Sequence, residues 1–361
     1  MSAPNTSSSA QPAAPHSGAT AGAPDIRLDA LGKWLASLPA AHGLKPDTLR
    51  PASSDASFRR YFRLDAASGT RVVMDAPPGK EDCTPFIHVA GLLRDAGLSV
   101  PDIIEQDLAQ GFLLLSDLGT QNYYARLHES PPDSDIQQLY VGALHALVQM
   151  QQSAITGLAR YDRASLANEL SLFPDWYLDR HHGKPVDDKQ RAELDKIFEL
   201  LIESNLAQPV VLVHRDFHSP NLMVPPAGHT ASGVLDFQDA VAGPITYDLA
   251  SLVTDARFTW YEPQQIDWAI RYWEMARKAG LPVPADFADF HRDYEWMGLQ
   301  RNLRILGVFA RLNHRDGKAV YLTHMPRVNA YVRQVAGRYG VFKPLLRILD
   351  SLEEVQQGYS F

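Results

Sequence analysis

Several features of secreted, membrane-bound or nucleic-acid-binding proteins are missing from this sequence. Cys83 is the only cysteine, so no disulfide can form within the chain, and a reducing compartment is expected. No apolar run approaches the roughly 20 residues that a membrane-spanning helix needs, and the N-terminus lacks the basic start and apolar middle of a secretory signal. The formal net charge of −8 argues against nucleic acid or an anionic membrane as the main partner. These absences predict a cytoplasmic protein.

Charge is also missing from residues 1–24, which contain no Lys, Arg, Asp or Glu and are rich in Ser, Ala, Pro and Gly. Such a segment has too little apolar surface to offset the entropy lost when a chain becomes ordered. Residues 1–24 are therefore predicted to form a disordered tail.

The region from residue 25 to residue 118 has the pattern of a small sheet with one helix packed on it. A helix is predicted near its start, through Leu31 and Trp34, and a second over residues 84–96. Ser68-Gly69 is predicted to be a hairpin turn. The predicted strands cover residues 58–64, 70–75, 102–106 and 111–115.

From about Asp135 onward the apolar residues follow helical spacing. Strand-like runs interrupt this pattern at residues 209–213 and 233–237. Helices are predicted over residues 247–254, 263–279, 286–311 and 327–338.

This change of pattern predicts an α+β fold with two lobes. The β-rich N-terminal lobe covers residues 25–118, and the larger helical lobe covers residues 119–361. A hinge lies near residues 116–119, and the cleft between the lobes is the expected place for a ligand.

The strongest chemical signal is the pattern His-x-Asp-x-x-x-x-Asn, which follows the apolar run 209–213 and contains Asp216 and Asn221. Asp236 follows a second apolar run. Phosphoryl transfer needs a carboxylate beside the attacking hydroxyl, which suits Asp216, and oxygen ligands for Mg²⁺, which suit Asn221 and Asp236. A polar loop in which Asp and Asn only form turns is the alternative, and the placement after two buried-type strands argues against it.

These motifs resemble the catalytic loop and metal-binding Asp-Phe-Gly segment of the protein-kinase-like superfamily. Gly243-Pro244 and a predicted helix follow Asp236 almost at once, so there is no room for the activation segment of a protein kinase. The chain therefore resembles the aminoglycoside phosphotransferase and choline kinase branch, which uses ATP and magnesium. The resemblance implies that Asp248 and His214 brace the catalytic loop.

Longer phrases, among them Gly233-Val-Leu-Asp-Phe-Gln-Asp-Ala and Gln300-Arg-Asn-Leu-Arg-Ile-Leu-Gly, are similar to bacterial anomeric kinases of N-acetylmuramate and N-acetylglucosamine. That group implies phosphorylation of the sugar C1 hydroxyl in cell-wall recycling. Muramate carries a carboxylate, so an arginine in the acceptor pocket is expected. The candidate acceptor-binding residues are His218, Asp239, Arg301, Arg304 and Arg311. A kinase of aminoglycosides or choline, and a nucleotide-binding scaffold without turnover, are the alternatives.

The nucleotide side departs from the superfamily pattern. The phosphate-covering turn, residues 53–57, lacks glycine, so Ser54 and Ser57 are the candidate contacts. The strand that usually supplies a phosphate-binding lysine reads Val72-Val73-Met74. Backbone groups near Leu115, Asp117 and Leu118 are expected to hold adenine. The candidate replacement cations are Arg59, Arg60, Arg63 and Lys80, of which Arg60 is favoured.

Overall fold

The computed structural model describes residues 25–54, 58–226 and 228–357. The predicted tail, residues 1–24, lies outside this part of the chain. Within the described residues, no helix combines the length and the apolar composition needed to cross a membrane.

The N-terminal region forms an antiparallel five-stranded sheet in the order β1-β2-β3-β5-β4. The strands are β1 (Leu44–Ser54), β2 (Arg60–Ala66), β3 (Gly69–Asp75), β4 (Ile103–Asp107) and β5 (Phe112–Ser116). The four predicted strands are therefore confirmed with small shifts, while β1 was not predicted. The hairpin turn lies one residue earlier than predicted, at Ala67-Ser68, and Gly69 begins β3 with a φ of +83°.

A helix covers each face of this sheet, where the sequence predicted only one. Helix α1 (Ile26–Ser37) packs Leu31 and Trp34 against one face, and α2 (Thr84–Asp95) packs Phe86 against the other. The β5 residues alternate between the two clusters, because successive side chains of a strand point to opposite faces. Each face of the sheet therefore has its own apolar core.

The remainder is mostly helical, as predicted, and the two-lobed α+β fold is confirmed. The boundary at residue 118 stays a prediction. The helices of the larger lobe are α3 (Tyr123–His128), α4 (Asp133–Gln151), α5 (Arg163–Leu172), a π-helix (Phe173–His181), α6 (Asp188–Leu206), α7 (Tyr247–Val253), α8 (Glu262–Lys278), α9 (Phe287–Asp316), α10 (Met325–Arg338) and α11 (Lys343–Gln357). Helix α9 packs against α5, α6, α7, α8 and α10, and it forms the centre of this lobe.

Two short antiparallel strand pairs set the loops of the site. Strand β6 (Val210–Val213) pairs with β9 (Val241–Pro244), and β7 (Leu222–Met223) pairs with β8 (Gly233–Val234). The loop of residues 214–221 leaves β6, and the loop of residues 235–240 leaves β8. The predicted strand 233–237 is shorter than expected, because Asp236 has a φ of +63°, which a strand does not allow.

Candidate active site

One buried carboxylate holds the loop that follows β6 in place. Asp248, at the start of α7, accepts the backbone N–H of His214 at 2.6 Å and that of Arg215 at 3.0 Å. Arg215 has a φ of +75°, a left-handed conformation that a non-glycine residue adopts only when its surroundings hold it there. Burial raises the pKa of Asp248 to about 6, although nearby His214 and the two N–H groups oppose the rise. The predicted bracing role of Asp248 is confirmed.

His214 links this loop to the strand end that carries Asp236. Its Nδ1 accepts the backbone N–H of Asp216, and its Nε2 lies 2.9 Å from the carbonyl oxygen of Leu235. Because Nδ1 is an acceptor, the proton of the neutral ring is on Nε2, which donates to Leu235. The fully buried ring is thus a structural brace, as the sequence predicted.

Asn221 and Asp236 lie side by side. The Asn221 amide nitrogen donates to the backbone carbonyl of Asp216 at 2.9 Å and to a carboxylate oxygen of Asp236 at 3.3 Å. Gln238 donates to the other Asp236 oxygen at 2.7 Å. The two hydrogen bonds of the Asn221 amide therefore link the three residues that the sequence singled out, and they place amide and carboxylate groups of the kind that bind Mg²⁺ side by side.

Asp216 is the most accessible of the loop's charged groups, with 40% of its side chain exposed. Partial burial disfavours its charge, but His218, Arg304, Arg301 and His214 around it hold the pKa of the carboxyl below its ordinary value. Asp216 is therefore ionised at neutral pH, with an accessible carboxylate that can accept a proton from a bound hydroxyl.

His218 lies beside Asp216, with its Nε2 at 3.9 Å from a carboxylate oxygen. Burial, followed by the charge of Arg257, lowers the pKa of His218 to about 4, so the ring is neutral at neutral pH. Its Nδ1 is buried without a hydrogen-bond partner in the described structure. A neutral imidazole at this point can hydrogen-bond to a substrate but does not supply a positive charge.

A cavity of about 410 Å³ lies between the sheet and the helical lobe. Three residues predicted to lie near adenine line it, namely Leu115, Asp117 and Leu118, as do Asn221 and Asp236. Phe86 of α2 also lines the cavity and stacks on Phe237, with ring centroids 4.9 Å apart. The predicted hinge and metal residues thus share one cavity, as expected for a nucleotide that spans from hinge to catalytic loop.

The cations of β2 divide between its two faces. Tyr61 and Arg63 line the cavity, while Phe62 and Leu64 pack under α1. Arg60, on the α1 face, donates to the buried carboxylate of Asp75. This geometry counts against the predicted phosphate contact of Arg60, because its guanidinium is already paired on the side of the sheet away from the cavity.

Arg63 lies in the cavity, but its guanidinium is held at the hinge by Asp117 at 2.6 Å and by the carbonyl of Gly119 at 2.8 Å. The side chain of Asp117 is therefore a brace for the hinge. A backbone contact to adenine near Leu115, Asp117 and Leu118 stays a prediction.

The acceptor candidates fall into two groups. Arg301 and Arg304 of α9 lie beside Asp216, whereas Asp239 is exposed and Arg311 lies further along the helix. Arg301 is 3% exposed, and its Nε and Nη1 atoms have no hydrogen-bond partner among the described residues. The predicted contacts of Ser54 and Ser57 involve side chains outside the described part of the chain.

Glu169 of α5 is a further residue of the site, and no sequence pattern predicted it. Its carboxylate accepts from Arg215 at 2.9 Å and from the hydroxyl of Tyr161, and it lies 3.1 Å from Nε of Arg304. Glu169 therefore joins the catalytic loop to α9 at the edge of the site. No motif surrounds Glu169 in the sequence, since its two arginine partners lie 46 and 135 positions further along the chain.

An open cleft between a five-stranded sheet and a helical lobe, with Asp216, Asn221 and Asp236 gathered on one loop system, defines a phosphotransferase of the protein-kinase-like fold. A profile of the phosphotransferase enzyme family known as APH matches residues 48–296. The chain belongs to this family.

Curated relatives and solved structures agree with this assignment. The N-acetylmuramate/N-acetylglucosamine kinases of Pseudomonas aeruginosa and Pseudomonas putida are 47% and 45% identical, covering 91% and 92% of this chain and 98% of each relative. A choline/ethanolamine kinase family protein from Mesorhizobium loti has a TM-score of 0.60 at 15% identity, covering 90% of this chain and 99% of the other. An ADP-bound aminoglycoside phosphotransferase has a TM-score of 0.56 at 14% identity, covering 86% and 99%. These structures show the shared fold.

Proposed function

We propose that the chain transfers the γ-phosphoryl group of ATP to the anomeric C1 hydroxyl of N-acetylmuramate and N-acetylglucosamine, as a step of cell-wall recycling. The observation that carries this proposal is the meeting of an accessible, ionised Asp216 with the Asn221–Asp236 pair at one end of the interlobe cavity. The names of the two Pseudomonas relatives supply the acceptors.

In this proposal Asp216 accepts a hydrogen bond from the C1 hydroxyl, orients its oxygen toward the γ-phosphorus, and takes the proton as the new P–O bond forms and the bond to ADP breaks. An anomeric hydroxyl is more acidic than an ordinary alcohol, so a carboxylate of low pKa can still act on it. Neutral His218 hydrogen-bonds to the acceptor, and Leu115 and Leu118 place the adenine.

The oxygens of Asn221 and Asp236 fit a magnesium ion, because Mg²⁺ prefers a few hard oxygen ligands and completes its shell with phosphate and water. The Asn221 contact to Asp236 is made by the amide nitrogen, so the amide oxygen is not used by it. When bound, the ion would neutralise charge on the phosphates.

Arg304 is the residue we assign to the carboxylate of muramate. Glu169 holds its Nε edge, the side chain is 18% exposed, and its two terminal nitrogens make no hydrogen bond within the described structure. Two adjacent guanidinium nitrogens match the two oxygens of a carboxylate. Arg301 lies deeper, where its charge helps to keep Asp216 ionised.

The proposal is tested by measuring ADP release with ATP, magnesium and a panel of acceptors. We expect turnover with N-acetylmuramate and N-acetylglucosamine, and none with their 1-O-methyl glycosides, which lack the C1 hydroxyl. Phosphorus NMR should show a phosphate coupled to the anomeric proton. Turnover of the methyl glycosides would contradict the C1 assignment, and turnover restricted to choline or aminoglycosides would contradict the acceptor class.

A further inference from the structure

The nucleotide side of the site needs a positive charge, and the usual source is absent. ATP phosphates carry several negative charges, and the superfamily commonly meets them with a strand lysine paired to a helix glutamate. Strand β3 reads Gly69-Thr-Arg-Val-Val-Met-Asp75 and has no lysine. Arg60 and Arg63 are already paired, to Asp75 and Asp117 respectively. Lys80 lies over the ring of Phe58, 4.4 Å from its centroid.

Arg59 differs from these residues in its setting. Its guanidinium lies 3.1 Å from a carboxylate oxygen of Glu81, and the two side chains are only 10% and 13% exposed. Glu81 also accepts the backbone N–H of Phe58 at 3.1 Å, so one carboxylate fixes both the entry to β2 and the arginine. A buried ion pair is costly to desolvate and is weak evidence of a stabilising role, so a functional reason for it is worth seeking.

Arg59 immediately precedes β2, and this position points to the phosphates. Tyr61 and Arg63 of β2 line the cavity, and the alternation of side chains, continued one residue before the strand, puts Arg59 on their side. Arg63 is bound to the hinge, and Arg59 lies four residues away from it, about 13 Å along the strand at roughly 3.3 Å per residue. A nucleotide with its adenine at the hinge would direct its phosphates toward this end.

Helix α2 supports the same placement. Glu81 lies three residues before the start of α2, and Phe86 of that helix stacks on Phe237, the residue after Asp236. The Arg59–Glu81 pair therefore lies on the elements that connect the sheet to the candidate metal residues.

We propose that Arg59, held by Glu81, binds the phosphates of the nucleotide in place of the missing strand lysine. This inference rests on the proposed function, because it takes the cavity to be the nucleotide site. It replaces the expectation for Arg60, the first residue of β2, whose guanidinium pairs with Asp75 on the side of the sheet away from the cavity.

The test compares binding of ADP and adenosine by calorimetry, because adenosine lacks phosphates but shares the base and ribose. Arg59→Met should weaken ADP binding at least tenfold and change adenosine binding less than twofold. Arg59→Lys should restore part of the loss. Arg71→Met is the matched control and should leave both affinities unchanged, because Arg71 lies on the neighbouring strand and its side-chain hydrogen bonds in the described structure go to Ser68 and Thr70.

Arg59→Met leaves Glu81 buried without its partner, so the double variant Arg59→Met/Glu81→Gln is measured too, with its unfolding temperature. It should also lose ADP affinity selectively. If wild-type protein prefers ADP and both Arg59 variants keep that preference, the assignment is overturned while the proposed function stands. A selective ADP loss in Arg60→Met alone would overturn it as well. A wild type that consumes no ATP with any amino sugar would remove the proposed function and the assignment together.

Discussion

The two sides of the cleft are built in different ways. On the helical side, Asp216 and Asn221 come from one eight-residue loop, and Asp236 joins them through a single side-chain contact. On the sheet side, the cations lie on or next to strands whose two faces have different neighbours, so adjacent residues such as Arg59 and Arg60 have different partners. Site residues on a short loop can be identified from their spacing in the sequence. A residue on a sheet contributes to the site only if its side chain lies on the face that lines the cavity.

The largest effect is expected on the helical side. Asp216→Asn removes the proton acceptor but keeps the shape of the side chain, so kcat should fall by about 10²–10⁴-fold with little change in ADP affinity. The measurement is steady-state ADP release together with calorimetry of ADP binding. Asp29→Asn, on the exposed surface of α1, is the control. Turnover that survives Asp216→Asn unchanged would remove the mechanism.

A substitution of Glu169 tests the edge of the site, between the helical side and the sheet side of the cleft. Glu169→Gln removes the charge that pairs with Arg304 and weakens the charge-assisted hydrogen bond from Arg215, a kind of bond worth about 1.5–3 kcal/mol. We expect KM for N-acetylmuramate to rise about tenfold, KM for N-acetylglucosamine to rise less, and KM for ATP to stay constant. Glu199→Gln is the control, because Glu199 is an exposed residue of α6 that pairs with Arg163. Equal increases in all three KM values would mean that Glu169 acts on folding alone.

A third test separates the packing of the acceptor side from its chemistry. A Cβ on Gly307 of α9 would lie 2.4 Å from the backbone of Leu172, at the end of the helix that carries Glu169. Gly307→Ala should therefore destabilise the fold by about 1–3 kcal/mol despite the better helix propensity of alanine. Gly32→Ala in α1, where the added Cβ meets nothing within 4 Å, should stabilise by about 0.5–1 kcal/mol. Chemical denaturation of both variants checks this difference, and equal shifts would contradict the close approach of α9 and α5.

The last prediction concerns the pH dependence of stability. Because the pKa of His218 is about 4 in the folded protein, the unfolded chain, with a pKa near 6.5, binds the proton first on acidification. Folding should therefore lose stability as pH falls from about 6.5 to about 4. Asp216, Asp255, Arg257 and Arg301 are the charged groups around the ring.

His218→Asn should reduce this loss of stability, and an unfolding series at several pH values would show it. His229→Asn, an exposed histidine, is the control. A slope as steep in His218→Asn as in wild type would contradict the assignment of a neutral, buried ring.

The sequence by itself determined the two-lobed fold, the phosphotransferase class, and the three candidate residues that the structure brings together, Asp216, Asn221 and Asp236. It did so because a buried strand, a loop of set length and a second strand end confine those side chains to one small region. Asp248 and His214 were readable for the same reason, as members of the same short segments.

Only the tertiary structure showed that Arg59 and Arg60 have different partners, that Arg63 is bonded at the hinge, and that Glu169 lies at the edge of the site. A sequence shows that arginines lie on a strand, but the face that each one presents depends on where α1 and α2 pack. Glu169 gathers Arg215 and Arg304 across long stretches of chain, and such contacts form only when separate helices dock. Packing decides which partner a buried charged group has, because the cost of desolvation makes an unpaired buried charge unfavourable.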